Sequence, residues 1–226
     1  RSTVFAFSPN RETLGGTAYF IIEKDNGFSS QSSHNILVDS PALSEPHQAF
    51  IADQGGIDIL FITHRGGMAQ VPECQKIFGC QVLIQEQEAY LLPTVATQTF
   101  HRDYVVSTQE NRASPPLSRV FWTPGHSPGS SCLYHSNHGG ILFTGRHLIP
   151  NQAKAPQPLR LSKTFHWPRQ LRYSQKILSD FTPETLHYIC PGASTGFLRG
   201  EKKISQAYAQ LQQTNWEMLK ATQPGL

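Results

Sequence analysis

The run Ile57-Asp58-Ile59-Leu60-Phe61-Ile62-Thr63 constrains this chain more than any other segment. It is nearly continuous in apolar side chains rather than alternating, as a strand covered on both faces requires. Val82-Leu83-Ile84 repeats the pattern about 20 residues later. The intervening residues 72–78 are long enough for one short helix, so the three pieces read as a βαβ unit. Upstream, Tyr19-Phe20-Ile21-Ile22 follows the Gly15-Gly16 turn, and Asn35-Ile36-Leu37-Val38-Asp39 is closed by Ser40-Pro41; both read as strands. Residues 44–54 fit a helix with Ser44 as its N-cap.

A chain of 226 residues with 38% hydrophobic and 15% charged residues can bury one sizeable core. That balance excludes a disordered, coiled-coil or collagen-like chain. No apolar run approaches the roughly 18 residues that a membrane-spanning helix needs. A net charge of +3, without a basic cluster, gives no footprint for nucleic-acid binding. Cys74, Cys80, Cys132 and Cys190 form no C-x-x-C pair and read as reduced thiols of a cytosol-like, reducing compartment. Arg1-Ser2-Thr3-Val4 has no apolar signal core, although a start at Arg leaves room for a removed targeting segment.

In the second half, residues 93–119 are polar and end in Ser114-Pro115-Pro116, which reads as a long surface insertion or flap. Val120-Phe121-Trp122 is the next strand and runs into Thr123-Pro124-Gly125-His126-Ser127-Pro128-Gly129-Ser130. Cys132-Leu133-Tyr134 and Ile141-Leu142-Phe143-Thr144 read as a hairpin around Asn137-His138-Gly139-Gly140. Pro168 suits the first turn of a helix reaching Leu178, and His187-Tyr188-Ile189-Cys190 is a last strand stopped by Pro191-Gly192. Ile204, Tyr208, Leu211 and Met218 make a helical stripe expected in the core. No internal period appears, so a single domain over residues 1–226 is expected.

The order of these pieces, a strand ending at Asp39, a strand ending at Thr63-His64, the Thr123–Ser130 turn, then Leu142-Phe143-Thr144-Gly145 and Pro191-Gly192, resembles the metallo-β-lactamase superfamily. The resemblance spans residues 19–194 and implies an α/β (in some schemes α+β) fold, a four-layer αββα sandwich. It also implies hydrolysis by one or two metal ions, usually zinc, whose bound water is made acidic by clustered imidazoles and carboxylates. The family's first ligand turn reads Thr-His-x-His-x-Asp-His, whereas this chain has Thr63-His64-Arg65-Gly66-Gly67-Met68-Ala69. Gly66, Met68 and Ala69 replace three ligands, Arg146 stands where an acidic residue bridges the metals, and Ala193 replaces the last His. Only His64 and His126 keep ligand identity.

Two imidazoles beside a guanidinium do not make a tight zinc site. The expectation is therefore a non-hydrolytic pseudoenzyme without cofactor, acting as a small-anion-binding or a protein-interaction and scaffold protein, its pocket lined by His64, His126 and Arg146 with Asp39. Such a pocket suits a small anion or the acidic side chain of a protein partner. Arg146 either pairs with Asp39 or clamps that anion, and Gly66 and Gly67 either open space or free the backbone. The alternative is a zinc hydrolase of ester or thioester substrates with a rebuilt site, using His64 and His126 plus a ligand from residues 93–119 or His147. His101 and His166 are further donors, without ligand spacing to one another.

Overall fold

Parallel strands buried on both faces demand helices outside them, and the computed structural model has that layering. It describes residues 2–9, 11, 13–23, 35–107, 117–193 and 195–224. In chain order the elements are β1 (Ser2–Phe7), β2 (Ala18–Glu23), β3 (Ile36–Val38), α1 (Glu45–Asp53), β4 (Ile59–Phe61), α2 (Val71–Phe78), β5 (Gln81–Gln85), β6 (Thr97–Phe100) and β7 (Asp103–Ser107). They continue as β8 (Ser118–Trp122), β9 (Ser131–His135), β10 (Ile141–Gly145), β11 (Ile149–Pro150), β12 (Pro156–Gln157), α3 (Trp167–Asp180), β13 (Tyr188–Pro191), β14 (Ile204–Ser205), α4 (Ala207–Gln212) and α5 (Trp216–Lys220).

The first sheet has the order β1-β2-β3-β4-β5-β6, and the second has β14-β13-β10-β9-β8-β7. The βαβ unit read from the sequence is there: β3, β4 and β5 run parallel, with Leu37 opposite Leu60 and Leu60 opposite Val82. Between the sheets lies a core that includes Ile21, Phe61, Val120, Leu133 and Phe143. α1 and α2 cover the first sheet through Ile51, Val71 and Cys74. α3 and α4 cover the second through Ile177 and Leu211. Helix, sheet, sheet, helix is the αββα order. All four cysteines are buried free thiols, and burial pushes the Cys74 thiol up to about 12 and Cys80 to about 11.

The structure corrects several local expectations. Residues 93–119 are not an irregular insertion: β6 and β7 within them are the outermost strands of the two sheets, so this segment carries the chain from one sheet to the other. Its Ser114-Pro115-Pro116 end lies outside the described residues, as do Arg1 and Ser194. The C-terminal stripe is not one helix. Ile204 belongs to β14, the chain then breaks into α4 and α5, and Met218 is 63% exposed. Ser44 precedes α1, but its side chain makes no capping hydrogen bond. β1, absent from the sequence reading, pairs along β2 from Ser2 opposite Glu23 to Phe7 opposite Ala18.

Candidate functional site

Strand ends of both sheets meet at one edge of the sandwich. Asp39 follows β3 directly and adopts a left-handed φ of 58°. That turn tucks its carboxylate beneath the residues after β4. The Thr63 amide donates to Asp39 Oδ1 (2.8 Å), and the Thr63 hydroxyl donates to Oδ2 (2.6 Å). The same hydroxyl lies 2.9 Å from His64 Nδ1. A hydroxyl has one proton; given to Asp39, it leaves Thr63 Oγ1 to accept from Nδ1–H. His64 is thereby set as the tautomer with a bare Nε2, and that buried nitrogen has no hydrogen-bond partner. Burial raises the Asp39 pKa to about 6 against the pull of the Thr63 hydrogen bonds and the Arg146 charge, so the carboxylate is ionised at neutral pH.

His126 sits in the Pro-Gly-His turn after β8, its ring 5.3 Å from that of His64 and edge-on to it. Both imidazoles are held neutral. Burial, then His126 and the guanidinium charges, drive His64 well below its ordinary value. Burial followed by Arg146 and Arg65 lowers His126 to about 4. Gly145 lets β10 approach: its φ is 52°, and a Cβ there would fall 2.2 Å from Thr63 Oγ1.

The turn after His64 is closed rather than open. After His64 the chain forms a short 3-10 turn over Arg65–Gly67, anchored by Ser40, whose N–H and hydroxyl both donate to the Gly67 carbonyl (3.1 and 2.8 Å). A Cβ on Gly66 would lie 2.7 Å from His64 Nε2, and one on Gly67 would lie 2.3 Å from Asp39 Oδ1. The glycines are there because His64 and Asp39 occupy the volume that side chains would take. Met68 turns away into the core beneath α2, and Ala69 is exposed.

Arg146 does not pair with Asp39, whose oxygens are taken by Thr63. Its Nη2 donates instead to the Leu14 carbonyl (3.1 Å), while its buried Nε has no partner. Sequence reasoning missed two neighbours. Arg65 donates through Nε to Glu88 Oε1 (3.1 Å); Glu88 is 1% exposed, and its other oxygen is unpartnered. Arg65 was visible beside His64, but nothing in the sequence marks Glu88, which arrives on the loop after β5. His147 lies near enough to His126 for a charge on either ring to oppose the other. It is fully buried, with Nε2 3.1 Å from the Ser174 hydroxyl of α3. His101 is exposed and pairs with Glu86, and His166 caps α3 by accepting the Arg169 amide.

A metal ion fits this donor set poorly. Among the described residues no group of three or more His, Cys, Asp or Glu is arranged to hold one. The two imidazoles are flanked by Arg65 and Arg146, and the Asp39 oxygens already accept two hydrogen bonds. Replacing Thr63 by Val, which keeps the shape and removes the hydroxyl, leaves Asp39 Oδ2 and His64 Nδ1 unsatisfied. The expected cost is about 1–3 kcal/mol, read from the urea-unfolding midpoint.

No family model matches the sequence, and no curated protein matches it. Solved structures do. An archaeal metallo-β-lactamase superfamily protein from Sulfolobus tokodaii superposes with a TM-score of 0.60 at 11% identity, over 99% of this chain and 88% of that one. The BLEG-1 B3 metallo-β-lactamase gives 0.59 at 16% identity, over 91% and 95%. The chemotaxis sensor ODP, solved as a peroxy di-iron species, gives 0.60 at 15% identity, over 99% and 93%. With two mixed sheets face to face, helices outside and this strand order, the chain has the metallo-β-lactamase fold.

Proposed function

We propose that this chain is a metal-free protein of the metallo-β-lactamase fold that binds a small oxyanion, or the carboxylate of a protein partner, where its relatives hold metals. One observation carries the reading: the Arg146 guanidinium stands beside two neutral imidazoles with its Nε buried and unpartnered. A buried N–H without an acceptor costs on the order of 1–3 kcal/mol, which an anion would recover through a charge-assisted hydrogen bond. Arg65 adds a second guanidinium whose Nε alone is tied down, by Glu88. Gly66 and Gly67, closed over His64 and Asp39, leave no place for the missing ligands.

Titration with inorganic phosphate, followed by calorimetry, tests this reading. Saturable binding should weaken roughly tenfold in Arg146→Gln, the loss of one charge-assisted contact. Phosphate affinity equal in the two proteins would remove Arg146 from any ligand site and end the proposal.

The bare Nε2 of His64 beside His126 supports a second reading, a hydrolase with a rebuilt metal site. It requires at least one further ligand, and the Nε2 of His147 is already engaged by Ser174. That reading predicts metal bound in stoichiometric amount and lost in His126→Ala.

A further inference from the structure

A second site lies between β8 and α3 on the outer face of the second sheet, in a cavity of about 450 Å³ that shares no residue with the imidazole pair. β7 and β8 pair with Asp103 opposite Phe121, and the Trp122 amide donates to the Arg102 carbonyl (2.7 Å). This register sets Arg102 and Asp103 beside Trp122 and Phe121. Arg119, two residues from Phe121 and so on the same strand face, holds its guanidinium 5.6–5.7 Å from the rings of Phe121, Tyr134 and Phe181. Stacking of this kind fixes the plane and leaves the N–H edge for a ligand. Neither Arg102 nor Arg119 has an ion-pair partner among the described residues, whereas Lys176 in the same wall is neutralised by Asp180. The lining is also aromatic: Trp122 and Tyr173 have centroids 6.1 Å apart, with the Arg169 guanidinium over one face of the indole and that of Arg172 over one face of the phenol, each 6.0 Å from the centroid.

We propose that this cavity binds a ribonucleoside monophosphate, with the phosphate on Arg102 and Arg119, a ribose hydroxyl donating to Asp103, and the base against Trp122 and Tyr173. Each part answers a feature of the lining. Two unpaired guanidiniums match the charge of about −1.5 to −2 on a monophosphate at pH 7. A lone carboxylate beside them needs a hydroxyl donor rather than a second anion. Indole and phenol faces hold bases without sequence preference. The volume falls within the range of small-molecule sites.

Calorimetric titration with adenosine 5′-monophosphate tests the proposal against adenosine and inorganic phosphate as separate probes, the phosphate measured on Arg146→Gln so that the strand-end site does not contribute. The nucleotide should bind roughly tenfold more tightly than either part alone. Arg119→Gln and Arg102→Gln should each weaken it about tenfold, while Arg146→Gln leaves it unchanged. Arg102 is exposed and only its backbone is used by the fold, so that variant keeps the test valid if Arg119→Gln unfolds. Phosphate or adenosine binding as tightly as the nucleotide, an unchanged affinity in Arg102→Gln, a loss in Arg146→Gln, or no saturable binding would each overturn it.

Discussion

Between pH 7 and pH 5 this protein should lose roughly 5 kcal/mol of folding stability or more, on the scale of a whole domain's stability. The cause is a set of buried histidines held neutral. Burial depresses His126 to about 4, His135 to about 4 and His147 to about 3, and His64 lies well below its ordinary value. A base whose folded pKa lies below its unfolded one, 6.5, is stabilising above that unfolded value. As the pH falls the unfolded chain takes up protons that the folded chain refuses. His126, His135 and His147 each contribute a loss of about 2 kcal/mol over this interval, and His64 adds to it in the same direction. Asp39 acts the other way: its folded pKa of about 6 lies above the unfolded 3.8, so the folded state takes up a proton first and about 1 kcal/mol is returned. Urea-unfolding midpoints measured at pH 7 and pH 5 check the sum. Equal midpoints would mean that the imidazoles are not held neutral, and the electrostatic description of the site would be wrong.

Gly125→Ala should be the most damaging single methyl in the molecule's candidate site. Gly125 has φ 149°, and a Cβ there would lie 2.4 Å from both Cα and Cβ of Gln170 and 2.5 Å from its amide nitrogen. Most of those atoms are helix backbone, so rotating a side chain cannot relieve the clash. α3 cannot easily withdraw. The His166 amide donates to the Gly125 carbonyl (2.9 Å), the Phe165 amide to the His126 carbonyl (3.1 Å), and Gln170 Nε2 to the His147 carbonyl (3.0 Å). Overpacking and a strained φ together should cost about 3–4 kcal/mol, a fall of roughly 10 °C in Tm. Gly196→Ala is the control: nothing lies within 4 Å of its added Cβ, and the change should stay within about 0.5 kcal/mol. If the two variants melt together, α3 is not seated on the His126 turn as described.

The parts of the fold legible in the sequence were those with an unambiguous local pattern. The apolar run through Ile59, Leu60 and Phe61 forced a doubly covered strand, and the Gly-rich Asn137–Gly140 segment forced the β9–β10 hairpin. β1 escaped because nothing in Ser2–Phe7 shows that β2 waits to pair with it. β6 escaped because an edge strand can be polar: Gln98 and Thr99 are exposed, and a sheet edge tolerates what an interior strand does not; β7 holds Tyr104, Val105 and Val106 and was hidden only by the polar residues around it. In the site, His64, His126, Asp39 and Arg146 were legible through their place in a motif order. The packing of Gly66 and Gly67 was not. From sequence a glycine is an absence of side chain, and only the fold shows which neighbour fills the space. Glu88 was invisible for a related reason, since its burial depends on a loop reaching over the Gly129 turn, where a Cβ would lie 2.8 Å from its Cγ.

The proposed anion site works through guanidinium and neutral imidazole rather than through a metal. Elemental analysis of the protein, purified without chelator and without exposure to nickel resin, tests it most directly. Zinc, iron and manganese together should stay well below one equivalent per chain, with His126→Ala no different from the parent. One or more equivalents, lost in His126→Ala, would contradict it and place a metal on His64 Nε2 and His126.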